Sequence, residues 1–358
     1  MVYFLIFIVF IFLGIINKKS KFILLCIYAI LFVVSISFTS GHDINLFKDG
    51  YDMPFVDTEN EEMYRSALFA NFVILTKLLG LDFYEFRIVC VILWSIPILF
   101  LVFRYSKCPT FVIAVCAYFP LLTYGSLIRN GLMAGVVYWA FCILLQKHGI
   151  KTVFMYFIII GFAGLIHNTA FFYLLALLAI GHKIETSLLL RWCILISLVV
   201  GLAFHVGVLS NLASKVVGEY YSNLYFSSKG DFLIGHVHYI VFIIVNLWAV
   251  TLADRETSKY VKKDSKLYVF SRFVKRFNIL MLVFVPLLFI SVTFYRIFLN
   301  LLVLNAISVS NALAIVPSGK TRRLQMMKNI YIVAYIMEVY MYNLGMGEFT
   351  LFWDSVSL

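Results

Sequence analysis

The chain has 358 residues, of which 63% are apolar and only 13% charged, and its mean hydropathy is +0.97. Soluble domains average about 45–50% apolar and about 25% charged residues, and folding cannot hide that excess from water at this length; a water-soluble protein is excluded. The formal net charge of +11 is spread over short segments between apolar runs rather than gathered on one polar face, a pattern of membrane insertion that argues against a nucleic-acid partner.

A membrane-crossing helix needs roughly 20 apolar residues, and on that measure the sequence predicts an all-α, single-domain polytopic bundle of about 12 spans. In chain order they are 2–17, 22–39, 87–103, 110–128, 130–146, 152–166, 168–181, 189–206, 232–252, 277–294, 297–316 and 329–345. The first run lacks a basic leader and a small-residue cleavage site, so it reads as a retained span. Residues 62–86 are apolar but interrupted by Arg65, Lys77, Asp82 and Glu85, and read as an amphipathic or re-entrant element on the outer surface. Residues 152–180 would suit one tilted helix. A single crossing there would turn Arg255, Lys259, Lys262, Lys263, Lys266, Arg272, Lys275 and Arg276 outward, against the positive-inside bias. Two short helices turning near His167 avoid this.

With both termini outside, 21 of the 29 Lys and Arg residues lie inside and 13 of the 18 Asp and Glu residues outside. Two outer loops stand out. The first, about 40–65, carries Asp43, Asp49, Asp52, Asp57, Glu59, Glu61 and Glu62; the second, about 207–231, holds Tyr220, Tyr221, Ser222, Asn223 and Tyr225. Carboxylates and rings suit a polyhydroxylated ligand, although ordinary solvated loops have the same composition. Residues 253–276 form a basic cytoplasmic loop. Cys26, Cys90, Cys108, Cys116, Cys142 and Cys193 contain no C-x-x-C and read as small core residues rather than a disulfide framework or zinc site.

Ionisable groups at membrane depth are costly, so each is a site candidate. Arg129, in Tyr-Gly-Ser-Leu-Ile-Arg-Asn-Gly, lies at an outer junction where Asn130 or Gly131 opens the next helix; guanidinium beside helix amides is an anion site, with phosphate the natural ligand. Gly125, Gly131 and Gly135 allow a backbone or a ligand to come close. The structural alternative is an arginine reaching for headgroups. His167, in Leu-Ile-His-Asn-Thr, occupies the proposed outer turn and is a candidate proton acceptor, the alternative being a helix–helix hydrogen bond. Arg296, beside Tyr295, falls at another outer junction; two arginines would grip a diphosphate better than lysines. His42 and Asp43 open the acidic loop, and Glu62, Arg65 and Arg87 lie on the same side, as sugar contacts or as surface pairs of little consequence. His236 and His238 are a weak metal pair, and no P-loop, H-E-x-x-H, G-x-S-x-G or Asp-x-Asp occurs. No metal and no cofactor is expected.

At these residues the sequence resembles the EpsG-like, Wzy-type polysaccharide polymerases of bacteria. The similar features are Gly41-His42-Asp43 through Glu62-Met63-Tyr64, then Ile128-Arg129-Asn130-Gly131, Ile166-His167-Asn168-Thr169-Ala170 and Tyr295-Arg296, together covering about 40–300. Asn130 stands where the family often has Gln, and nothing after Glu338 matches. The resemblance implies a metal-independent membrane glycosyltransferase related to the GT-C type, in the bacterial cytoplasmic membrane. It would join polyprenyl-diphosphate-linked oligosaccharides, donor and acceptor, at the outer face, beside flippase and chain-length regulator proteins. Arg129 and Arg296 would stabilise the departing diphosphate, His167 would be the general base, and Asp43 and Glu62 would position sugars or supply the base. Rival readings are an acyltransferase modifying surface glycans and a lipid-linked oligosaccharide flippase; the second predicts an internal repeat, and none is seen.

Overall fold

A computed structural model describes residues 2–37, 42–52, 66–146, 149–180, 185–206, 237–289, 291–317 and 322–345. Among them every element is helical. The α-helices are α1 (Val2–Ile16), α2 (Lys21–Ile36), α3 (His42–Asp52), α4 (Ala67–Leu78), α5 (Phe83–Tyr105), α6 (Pro109–Val115), α7 (Thr123–Ser126), α8 (Ile128–Leu144), α9 (Ile150–Ile166), α10 (Ala176–Ile180), α11 (Thr186–His205), α12 (Val237–Tyr260), α13 (Lys266–Met281), α14 (Arg296–Ile315) and α15 (Arg322–Gly345). A π-helical stretch, Ala117–Leu122, joins α6 to α7, and 3-10 stretches cover Asn168–Leu175, Leu282–Phe289 and Val292–Tyr295.

Four described helical stretches are long and apolar enough to cross a membrane, namely Phe83–Tyr105, Thr186–Ala203, Val237–Tyr260 and Thr293–Ile315. A fifth arises if Pro109–Val115 and Ala117–Ser126, bent by 69°, count as one span. The bend has a sequence cause: Pro120 pushes the residue before it out of helical geometry, and Phe119 adopts φ −107°, ψ 121°. Of the remaining predicted spans, 2–17, 22–39, 130–146, 152–166 and 168–181 coincide with shorter apolar helices, whereas 277–294 begins in the end of α13 and overlaps the 3-10 stretches after it, and 329–345 lies within α15. Lipid-directed faces are plain in Phe22, Phe154, Leu198 and Leu202, all large, apolar and exposed. Five of the six cysteines are buried and Cys26 is exposed.

α14 is the centre. Every residue from Ile297 to Ala312 is buried, the polar ones included. Its amides are all paired across to neighbours. Asn300 donates to Tyr173 Oη at 2.7 Å and accepts from Tyr124. Asn305 exchanges bonds with Asn278 at 2.7 and 3.2 Å and donates to Asn246 at 3.1 Å. Asn311 donates to Tyr105 O at 2.8 Å and accepts from Lys107 N at 2.7 Å.

The helix ends sort into two groups. At one end the α1–α2 turn meets α6, with Thr110 N and Oγ1 donating to Lys18 O and Ser20 O at 3.2 and 2.7 Å, while Tyr105 stacks on Phe270 of α13 at 5.1 Å. At the other, Arg87 of α5 donates to Ser35 O near the end of α2 at 2.6 Å. There the start of α12 also meets the second half of α15 through His238 and Glu338.

The turn at His167 follows the expectation of two short segments. Tyr156 Oη donates to Tyr173 O at 2.7 Å; 17 residues of straight helix would hold them about 25 Å apart, so the chain doubles back. Two expectations are corrected. Residues 253–276 are not a loop but the end of α12 and most of α13, joined at 261–265. Asp254, 2% exposed, ties them by pairing with Arg272 at 3.2 Å and Lys275 at 3.0 Å. Arg276 is buried and donates to Ala179 O at the end of α10 at 3.0 Å. Residues 62–86 are likewise not one element: α4 stops at Leu78, Gly80 turns the chain at φ +77°, and Asp82 with Glu85 forms a capping box that opens α5.

Gly135 faces α5 so closely that an added Cβ would stand 2.8 Å from Trp94 Cα, whereas at Gly161 it would meet nothing within 4 Å. Gly135→Ala is therefore expected to lower the melting temperature of the purified protein, overpacking costing typically about 1–3 kcal/mol. Gly161→Ala should leave it unchanged or raise it, since alanine exceeds glycine in helices by about 1 kcal/mol; equal losses in both would refute the packing account.

Candidate functional site

Arg129 occupies the first turn of α8, where Leu127 caps without a side-chain bond. Its guanidinium lies 5.9 Å from the Phe47 ring of α3 and Nη1 is 3.5 Å from Ser66 Oγ, just before α4. Arg296 opens α14 directly after the 3-10 turn Val292–Tyr295. His167 ends α9 in an extended conformation, φ −155° and ψ 124°, and caps the following 3-10 stretch. All three are half-buried. The structure brings them together, for the charges of Arg129 and Arg296 both act on the His167 ring.

The state of that ring follows from its partners. Thr169 N donates to His167 Nδ1 at 3.3 Å, and Thr169 Oγ1 is 2.8 Å from the same atom. A main-chain N–H only donates, so Nδ1 keeps its lone pair and holds no proton. Desolvation, followed by the two guanidinium charges, holds the imidazole below its ordinary range. The ring is neutral, and its one proton sits on Nε2. A general base needs an unoccupied lone pair; here Thr169 already engages it. Bonded in this way, His167 presents a hydrogen-bond donor beside two cations. Such a group attracts anions rather than a metal ion.

Asn130, next to Arg129, is 2% exposed, and neither Nδ2 nor Oδ1 has a hydrogen-bond partner. Leaving a buried polar group unsatisfied costs about 1–3 kcal/mol, which a fold tolerates where the group has another task. Gly125, Gly131 and Gly135 serve helix packing: an added Cβ would strike Ser35, Tyr124 with Trp94, and Trp94 respectively.

Two expected contacts take structural places instead. Arg87 is buried, bonded to Ser35 O and 5.9 Å from the Phe83 ring, which ties α5 to α2. Tyr295 is buried rather than turned outward; its ring lies 4.1 Å from Tyr239, and Glu338 lies near it. His42 and Asp43 form the first turn of α3. Glu62, Arg65 and the second outer loop, about 207–231, lie outside the described residues. Sequence reasoning missed one pairing, His238 Nδ1 with Glu338 Oε2 at 3.0 Å. Glu338 was legible as a carboxylate within a span, but its partner is 100 residues away.

The sequence model of the EpsG family matches residues 45–352. The chain belongs to the EpsG family. The match runs past Glu338, so the resemblance extends further toward the C-terminus than the short motifs reach. No curated protein and no solved structure matches the chain significantly. EpsG membership and the apolar helices make this a membrane protein with a polysaccharide polymerase-like role.

Replacing Asn130 with Leu removes two unsatisfied atoms at nearly constant volume. Asn130→Leu is expected to raise the melting temperature, by the equivalent of about 1–3 kcal/mol, while shortening the surface polymer. Destabilisation instead would show that the amide has a partner.

Proposed function

We propose that this EpsG protein is a polymerase that transfers a growing glycan from its polyprenyl diphosphate onto a new lipid-linked repeat unit. It would act at the outer face of the bacterial cytoplasmic membrane, beside a flippase and a chain-length regulator. The observation that carries the reading is the convergence of Arg129 and Arg296 on a neutral His167 whose Nε2–H is a donor. Charge developing on a departing diphosphate is what such donors stabilise, and they do so most strongly where water is scarce. Planar guanidinium groups bind phosphate oxygens in pairs. No metal is required by this reading, because the donor sugar arrives already activated.

The orientation that places this end outside rests on the charge count, with 21 of 29 cations assigned to the opposite side. Asn130, buried and unsatisfied, offers an amide to the diphosphate or to the first sugar. Asp43 at the start of α3, with His42, Glu62 and Arg65, is assigned to the sugars beyond it. Bound diphosphate would also offset the guanidinium charges that act on His167, strengthening its hydrogen bond as charge develops.

The test is a gel of cell-surface glycans from deletion, wild-type and variant strains. Arg129→Ala and Arg296→Ala should each reduce polymerisation by about 100–1,000-fold, leaving single lipid-linked repeats outside the membrane. His167→Ala should do the same. His167→Gln, which keeps a donor but no base, should retain much more activity than His167→Ala; equal loss would restore the base role. An unaltered ladder lacking acyl groups would identify an acyltransferase, and repeats retained inside the deletion strain a flippase.

A further inference from the structure

We infer that His238, held by Glu338, takes the proton from the acceptor hydroxyl in the polymerisation proposed above; the assignment rests on that reading. His238 is the second residue of α12 and Glu338 lies in α15. His238 Nδ1 stands 3.0 Å from Glu338 Oε2, with 15% of the imidazole and 2% of the carboxylate exposed. Tyr295 is buried near the same carboxylate, and the next residue is Arg296. The Tyr239 ring lies 3.9 Å from His238 and 4.1 Å from Tyr295. One aromatic-walled cluster thus joins the pair to the arginine of the anion site.

The two histidines are partnered in opposite senses. His167 Nδ1 accepts from Thr169, which leaves Nε2–H as a donor. His238 Nδ1 faces the Glu338 carboxylate; when that carboxylate is ionised it can only accept, so Nδ1 carries the proton and Nε2 keeps the lone pair. A carboxylate behind Nδ1 also stabilises the imidazolium that forms when Nε2 is protonated. For a merely structural role, a carboxylate at membrane depth is an expensive choice. In the step, the acceptor O–H bond breaks and its proton goes to His238 Nε2. The oxygen forms the new bond to the anomeric carbon as the bond from that carbon to the diphosphate oxygen breaks. The electron pair leaves with the lipid diphosphate, between Arg129 and Arg296, and the imidazolium later releases its proton to water. Tyr295 and Glu338 act through His238 and are positioning residues.

The experiment uses the purified full chain in liposomes, supplied with lipid-linked oligosaccharide accumulated by the deletion strain. His238→Gln should lower kcat by about 100-fold or more with little change in KM. In His238→Gly, added imidazole should restore part of kcat. Glu338→Gln should lower kcat less than His238→Gln, and Glu338→Asp should recover some of that loss. Melting temperatures identify variants that fail to fold, and imidazole rescue in whichever glycine or alanine variant folds keeps the test decisive. His238→Gln turning over at the wild-type rate, or a loss confined to KM without imidazole rescue, overturns the assignment while leaving the polymerase reading intact. Absence of polymer from the wild-type protein overturns both.

Discussion

A polar group inside a lipid-embedded bundle has no water to fall back on, and the architecture is organised around that constraint. α14 carries Asn300, Asn305 and Asn311 through the middle of the protein, fully buried. Each amide has to find partners on other helices. Asn305 draws in Asn246 of α12 and Asn278 of α13, Asn311 holds the end of α5, and Asn300 meets Tyr124 and Tyr173. These bonds specify which helices lie beside α14 and at what height. Apolar packing against lipid-like side chains cannot do that alone, since lipid tails are equally good neighbours.

Fixing heights in this way fixes where helices end, and the candidate site is made of ends. Tyr173 illustrates the coupling. Its hydroxyl accepts from Asn300 and donates to Ile297 O, one residue past Arg296, while its carbonyl accepts from Tyr156. The turn bearing His167 is therefore held to α14 by the same tyrosine that closes the hairpin. Close approach does the rest: Trp94 lies against Gly131 and Gly135, which seats the start of α8 and with it Arg129. Tight packing here serves orientation, because donors act on a developing charge only when they need not move to meet it.

Much of this was legible in the sequence because membrane burial leaves strong marks. Apolar runs bounded the helices, the positive-inside count required the break at His167, and Arg129, His167 and Arg296 stood out as polar residues at run ends. What stayed hidden depends on partners distant in the chain. Arg87 has the same appearance as Arg129 in sequence, yet one is spent on Ser35 O while the charge of the other acts on the His167 ring. The basic stretch 253–276 looked like a loop because its charges are dense. Only Asp254, pairing with Arg272 and Lys275 from one helix to the next, reveals it as two helices. Tyr295 stood out beside Arg296, and burial packs its ring against Tyr239 instead.

The two histidines show how little the residue type says by itself. Both are near helix termini, so position alone would treat them alike. Their second partners separate them: a backbone N–H can only donate and an ionised carboxylate can only accept. The first leaves the proton of His167 on Nε2; the second, when ionised, draws the proton of His238 to Nδ1. A transfer from a lipid diphosphate needs both properties at once, a donor where negative charge leaves and an acceptor where a hydroxyl attacks. On the reading proposed above, two imidazoles held in opposite senses divide these tasks, where a single histidine would have to serve both.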